Sequence, residues 1–354
     1  MAVLRLNATR DGALLAHTQT VPWSDVLDRA LDRVPHAGRV TVLVHGYRFT
    51  WRHEGQRAAP PHCPQARLYC TAPTIPRQAL WPGQANWPAA LGLEENQGLV
   101  IGFGWEGRRP TLSTLLANGR NDFAVVYDAA ALAGAALGRL LGWIAAQRPD
   151  LRPDFLAHSL GARVVLSGMR DVPALPFGRA VLLGAAEYAG VAQATLKTQA
   201  RCGGGGEVFH AFSRANDLFD ALFGLLAPRP TQAGDRSLGH RGMVNNSPAA
   251  TGRWVDLQLD AEATARYFAV RGIRLERGRE VVSHWHFYND PGAMAAWRAI
   301  LERRPGWSPA QLRHAGLGDR SEPRWSRLLP RIPRSRRGAA QLGGERPQKA
   351  IGTS

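Results

Sequence analysis

The chain has 354 residues, 45% of them hydrophobic, which is enough for one large domain or two small ones around a sizeable core. Its formal net charge is +16, carried almost wholly by arginine, since Lys197 and Lys349 are the only lysines. With 38 glycines and 24 prolines beside it, that skew reads as genomic base composition rather than a surface built for a polyanion, so no specific nucleic-acid partner is expected.

Charge and cysteine usage narrow the class further. From residue 319 onward, nine Arg or Lys face three Asp or Glu among prolines and glycines, which predicts a basic, disordered tail over 319–354 and one domain over 1–318. Cys63, Cys70 and Cys202 form an odd, sparse set without zinc-type spacing, as in a reducing compartment. The first residues carry no basic stretch followed by an apolar core, so no secretory signal is read there. The most apolar run, 129–146, is interrupted by Arg139 and suits a helix buried on a sheet better than a membrane span. A cytoplasmic protein is expected.

Taken in order, residues 2–6 alternate weakly and suit an edge strand. Val26, Leu27, Ala30, Leu31 and Val34 fall at helical spacing and predict an amphipathic helix over 23–34. The β-branched run 39–47 predicts a central parallel strand ending in His45-Gly46-Tyr47. Between 48 and 98 the pattern breaks into prolines and the tryptophans Trp51, Trp81 and Trp87. An insertion over the carboxyl ends of the strands is expected there, as a lid or specificity wall. A strand over 98–105 and a long helix over 121–147 follow, and Pro149 and Pro153 end that helix. Buried strands are predicted at 154–158, 179–184 and 207–212, and an apolar, lid-like helix at 218–226. The four glycines at 203–206 lack a following Lys-Ser or Lys-Thr and read as a flexible turn, not a phosphate cradle. The segment 280–286 is read as the last strand with its following turn, and a helix over 291–303 closes the body. Strands alternating with helices predict an α/β class, a mainly parallel sheet covered on both faces. Functional groups then gather at the carboxyl ends of its strands.

The densest signal is Ala157-His158-Ser159-Leu160-Gly161, where a buried strand turns into a helix with a serine at the apex. Such a turn leaves almost no room for side chains two residues before and after the serine, a demand Ala157 and Gly161 meet. The Leu160 N–H opens the helix, where unpaired donors favour a developing anion. The loop after the first central strand would supply a second donor, the N–H of Tyr47, with Gly46 allowing close approach. A serine hydroxyl needs a base, and the base needs an orienting acid. In this architecture the chain order is serine, acid, histidine, which selects Ser159, Asp217 and His284. Asp217 is preferred to Asp220, a turn into the next helix, and to Asp256, within a strand. His286 is the alternative base. Two histidines two residues apart also raise a metal-ligand reading, but no third ligand stands at a matching spacing, and no metal or organic cofactor is expected. His45 and His158 are expected to fix loops and pack rather than react, and His210 to face the sheet interior or a helix.

The Val-His-Gly-Tyr loop, the Ala-His-Ser-Leu-Gly elbow, the Ser-Arg-Ala-Asn-Asp loop and the Ser-His-Trp-His ending resemble bacterial α/β-hydrolase-fold proteins of an uncharacterised serine esterase/lipase-like family, over residues 38–303. That resemblance implies acyl transfer to water. Ser159 would attack the carbonyl of a small-molecule ester or thioester, His284 would shuttle the proton, and the Leu160 and Tyr47 amides would bind the oxyanion. The alternative is a catalytically silent binding or scaffold protein with the same fold, because this fold hosts many chemistries. Substrate length and oligomeric state are not legible in these residues.

Overall fold

The β-branched runs pair into one eight-stranded sheet. Its strands are β1 (Val3–Ala8), β2 (Leu14–Ala16), β3 (Arg39–Val44), β6 (Gly98–Gly104), β7 (Asp154–His158), β8 (Arg179–Leu183), β9 (Glu207–Phe212) and β10 (Trp254–Gln258). A separate short hairpin holds β4 (Arg52–His53) and β5 (Gln56–Arg57). The structure, a computed structural model, describes residues 3–17, 20–53, 56–57, 62–70, 86–93, 98–108, 121–228, 234–243, 252–276 and 282–318.

The strand order is β2-β1-β6-β3-β7-β8-β9-β10, and every neighbouring pair is parallel except β1 with β2 at the edge. This is the α/β class expected from the alternation of strands and helices. The chain leaves β3 for β6 on one side, then crosses to β7 on the other, so the order reverses at the β3–β7 pair. Crevices in open parallel sheets lie at the carboxyl ends of such a switch point. Val44 pairs with Ala157 there, which brings His45 and His158 side by side as both strands end.

Side chains alternate between the two faces of each strand, and both faces are covered. Val42, Val44, Phe155 and Ala157 face one core, with α1 (Trp23–Leu31), α4 (Asp122–Gln147), α5 (Leu160–Asp171) and α6 (Ala189–Arg201). Leu43, Leu156, Val181 and Phe209 face the other. That second core is closed by α3 (Trp87–Ala90), which follows the short α2 (Pro64–Arg67), and by α9 (Glu262–Ala269), α10 (His286–Asn289), α11 (Pro291–Leu301) and α12 (Pro309–His314). Two further helices, α7 (Asp217–Leu226) and α8 (Leu238–Arg241), lie between β9 and β10 in sequence. Helix α4 is long and apolar enough to cross a membrane by length and composition, and half of its most apolar window is buried in the structure against neighbours that include α5.

One expectation changes here. Residues 282–285 form an irregular turn into α10 rather than a strand, because β10 is the last strand of the sheet; residues 277–281 lie outside the described residues. The described parts of the 48–98 insertion contribute Leu68, Tyr69, Trp87, Leu91 and Leu93 to the second core. Tyr69 and Trp87 are fully buried, and the Gln65 amide donates to Leu6 O and Gly102 O, stapling α2 onto β1 and β6. The middle of the insertion, 71–85, and the basic tail from 319 lie outside the described residues.

Candidate active site

Strand β7 ends at His158 and α5 begins at Leu160, so Ser159 alone makes the turn, with φ 55° and ψ −123°. That region suits glycine, and a non-glycine residue there stores roughly 1–3 kcal/mol of strain. The surroundings hold it in place: Ser159 N–H donates to Leu183 O (2.9 Å), while its carbonyl accepts from Ala162 N (3.0 Å) and Ala186 N (3.1 Å). The tightness of the turn dictates the residues around it. A Cβ on Gly161 would sit 2.5 Å from Val44 O, and one on Gly46 would sit 2.8 Å from both His158 O and Ser159 Cβ. Both positions therefore need glycine, and the loop after β3 lies directly against the elbow. Ala157 is fully buried in β7 beside Val44.

Of the two expected donors, Leu160 opens α5 and Tyr47 lies in the loop after β3. Among the described residues, neither the Leu160 N–H nor the Tyr47 N–H has a backbone acceptor. His45 holds the Tyr47 loop. Its Nε2 accepts from Trp105 N (3.0 Å), so the proton sits on Nδ1 and donates to Gly46 O (2.9 Å). The ring stacks on Trp105 at 5.4 Å, and burial pushes its pKa down to about 3.

His284 is gripped from several sides. His158 Nε2–H donates to His284 O (2.9 Å), and the two imidazole centroids lie 4.5 Å apart. Phe219 of α7 stacks on the other ring at 4.6 Å, and Ser283 N–H donates to Ala215 O, tying this segment to the turn after β9. The imidazole Nδ1 meets Asn216 Oδ1 at 2.6 Å. Burial first, then the neighbouring His158 and His286, holds His284 well below the usual histidine range, so the ring is neutral near pH 7. His158 itself is pushed down to about 4, mainly by burial.

The acid position differs from expectation. Asn216 closes a 3-10 turn (Arg214–Asn216) and Asp217 opens α7, so the two side chains leave the backbone in different directions. Asn216 reaches His284, whereas Asp217 Oδ1 pairs with Arg214 Nη1 at 3.2 Å. Asp220, one helical turn on, accepts from Asn216 Nδ2 at 3.1 Å. His286, the alternative base, begins α10 with its ring against Phe287 at 4.1 Å. Asp256 lies within β10, where His210, the Trp254 indole and Met243 N–H all reach its carboxylate. Among the described residues, the Ser159 hydroxyl makes no hydrogen bond, to His284 or to any other group.

Aromatic rings line this end of the sheet. Tyr47 packs on Phe123, Phe123 on Phe223, and Phe219 on both His284 and Trp285. One buried carboxylate also braces the elbow: Glu187 accepts from Tyr127 Oη and Tyr188 N and pairs with Arg163, one turn past Ser159. No family model, curated protein or solved structure matches this chain. Two features of the site have only faint marks in the sequence. Asn216 stands beside a carboxylate of the expected type, and its i,i+4 spacing to Asp220 is its only signal. Glu187 sits in Gly-Ala-Ala-Glu-Tyr after β8 without any spacing that marks it.

Proposed function

We propose that the chain is a serine hydrolase that cleaves a carboxylic ester or thioester through an acyl-enzyme intermediate on Ser159. The observation that carries this reading is the strained Ser159 backbone at the switch point of a parallel sheet, because strain of that kind persists where the surroundings impose it and clusters at working sites. The chain order of Ser159, the Asn216 turn after β9 and His284 agrees with the α/β-hydrolase arrangement, which this reading adopts.

In the reaction so read, His284 Nε2 takes the Ser159 proton while Nδ1–H stays on Asn216 Oδ1. The carbonyl oxygen becomes an anion facing the Leu160 amide at the start of α5 and the Tyr47 amide in the loop after β3. His284 then returns the proton to the alcohol or thiol as it leaves. A water molecule, deprotonated by the same nitrogen, releases the acid and restores the serine. The aromatic lining formed by Tyr47, Phe123, Phe219 and Phe223 supports an apolar acyl group. Cys63, Cys70 and Cys202 form no disulfide among the described residues, in keeping with the reducing, cytoplasmic setting this reading assigns.

A second reading, a silent binding protein on the same scaffold, is favoured by one observation: Ser159 is not hydrogen-bonded to His284. Contacts of this kind are often open before substrate arrives. A fluorophosphonate probe separates the two. Labelling of the wild-type protein that vanishes in Ser159→Ala and in His284→Ala supports the hydrolase. Folded protein that resists the probe, with no Ser159-dependent release from a panel of acyl esters, leaves only the scaffold.

A further inference from the structure

We infer that Asp220 is a positioning residue for this site, acting through the Asn216 side-chain amide to fix which nitrogen of His284 carries the proton. The inference rests on the hydrolase reading for its catalytic consequence, but its geometry stands alone. Asn216 is held at both ends of its amide, by Asp220 Oδ2 at 3.1 Å from Nδ2 and by His284 Nδ1 at 2.6 Å from Oδ1. A carboxylate has lone pairs and no proton to give, so the end of the amide that faces Asp220 must be the NH2 group. The carbonyl end then faces His284, and an amide oxygen only accepts. Nδ1 must therefore bear the hydrogen, and Nε2 is left with the lone pair that a general base needs.

Without the charge at 220, nothing in that pair of contacts stops the amide from turning over. Its NH2 group would then point at Nδ1, demand a lone pair there, and drive the proton to Nε2. That tautomer cannot take a proton from serine.

The position of Asp220 is itself over-determined. It lies four residues after Asn216 on α7, where the helix places the two side chains on one face. It is buried, and Gly239 of α8 covers it so closely that a Cβ there would fall 2.1 Å from Oδ1. Asp217, nearer in sequence to the expected role, is matched instead to Arg214, whose guanidinium also donates to His240 O. The negative charge behind His284 is thus delivered one amide further away than in a direct acid–histidine pair.

The test uses the full-length protein with 15N-labelled histidine, reading the His284 tautomer by long-range proton–nitrogen correlation and the fluorophosphonate labelling rate alongside. Wild type is expected to show Nδ1–H on His284. Asp220→Asn should move His284 toward the Nε2–H form and slow labelling by about a hundred-fold or more, as wrong-tautomer variants of such triads do. Asp217→Asn should leave the tautomer as it is and slow labelling at least ten-fold less than Asp220→Asn does. The double variant Asn216→Asp/Asp220→Asn, which puts a carboxylate directly on Nδ1, should restore both the Nδ1–H form and most of the rate; it also serves if Asp220→Asn alone does not fold. The inference is overturned if folded Asp220→Asn keeps the wild-type tautomer and rate, if Asp217→Asn is the variant that switches the tautomer, or if the double variant remains as slow as a His284 deletion. Should the tautomer respond as stated in a protein that the probe never labels, the positioning role holds and the hydrolase reading alone is lost.

Discussion

At the amino ends of the strands, Asp154 opens β7 almost fully buried. It accepts Arg179 N–H at 2.6 Å and two Arg303 guanidinium bonds at 2.8 and 3.0 Å, while Arg179 Nε is also held by Glu207. At the carboxyl end of that same strand, five residues later, Ser159 sits in a conformation made for glycine, next in the chain to His158, whose ring lies against that of His284, and burial keeps both rings uncharged. Both ends bury polar groups. One end satisfies its carboxylate with donors; the other holds neutral imidazoles and a serine hydroxyl without a hydrogen bond among the described residues, the arrangement on which the proposed hydrolase reading depends. On the proposed reading one edge of the sheet carries stability and the other chemistry, and each experiment presses on one side of that division.

The largest expected effect comes from acid. His45 and His158 are neutral in the fold, with pKa values pushed down to about 3 and about 4, whereas the unfolded chain titrates them near the ordinary value of about 6.5. Below that value the unfolded state binds more protons than the folded one, so stability is complete above pH 6.5 and falls as pH drops toward the folded values. The slope for each ring approaches about 1.4 kcal/mol per pH unit, which amounts to several kcal/mol by pH 4. Denaturant titrations at a series of pH values measure it. His284, also held well below the usual range, adds to the same slope, so His45→Gln, which cannot titrate, should remove about a third of what the three rings contribute, and a flat profile between pH 6.5 and 4 would show that these rings are not held neutral.

At the opposite edge, Asp154→Ala leaves the arginines around it without their shared carboxylate. A loss of about 3–5 kcal/mol in urea unfolding is expected, as for breaking one partner of a buried ion cluster. Probe labelling per folded molecule should be unchanged, because the edge that carries Asp154 lies one strand length from Ser159. Equal losses of stability and of labelling would dissolve the contrast.

Much of this division was legible in the sequence, and the parts that were not have physical causes. The strand runs at 39–44, 98–104, 154–158, 179–183 and 207–212 announced themselves because parallel strands covered on both faces are continuously apolar. The serine at the elbow was legible because the turn demands small neighbours, and Gly46 and Gly161 prove to be squeezed by backbone oxygens. What stayed hidden is direction around a helix. Asn216 and Asp217 are adjacent in the chain but leave it about 100° apart, and no composition rule says which of them meets an imidazole brought in from residue 284. The segment 280–286 reads as a strand with its following turn, and over 282–285 strand propensity yields to the docking of α10 on the second core.

A smaller effect probes the strain itself. Ser159→Gly removes a side chain from a φ of 55°, relieving roughly 1–3 kcal/mol of strain against roughly 0.5–1 kcal/mol of added chain entropy. The variant should lose all labelling and yet be more stable than Ser159→Ala by about 1 kcal/mol in denaturant melts. If glycine is no better than alanine there, the turn stores nothing.

The smallest effect concerns His286, and it tells a bystander from a base. Its ring lies on Phe287 at the start of α10, and its charge acts on both His158 and His284 to hold them down. Removing it as His286→Ala should leave the labelling rate at neutral pH within about three-fold, whereas His284→Ala should lower it by about a thousand-fold or more. The sign of the pH effect is also fixed. A base must be neutral to work, so labelling of the wild type should persist below pH 6.5 and fail only as His284 gains its proton. Losing a like-charged neighbour raises the pKa of His284, so in His286→Ala the acidic limb of the labelling profile should move to higher pH. A shift to lower pH, or a loss at neutral pH as deep as that of His284→Ala, would make His286 the base and place the working imidazole on α10 rather than on the loop held by Asn216.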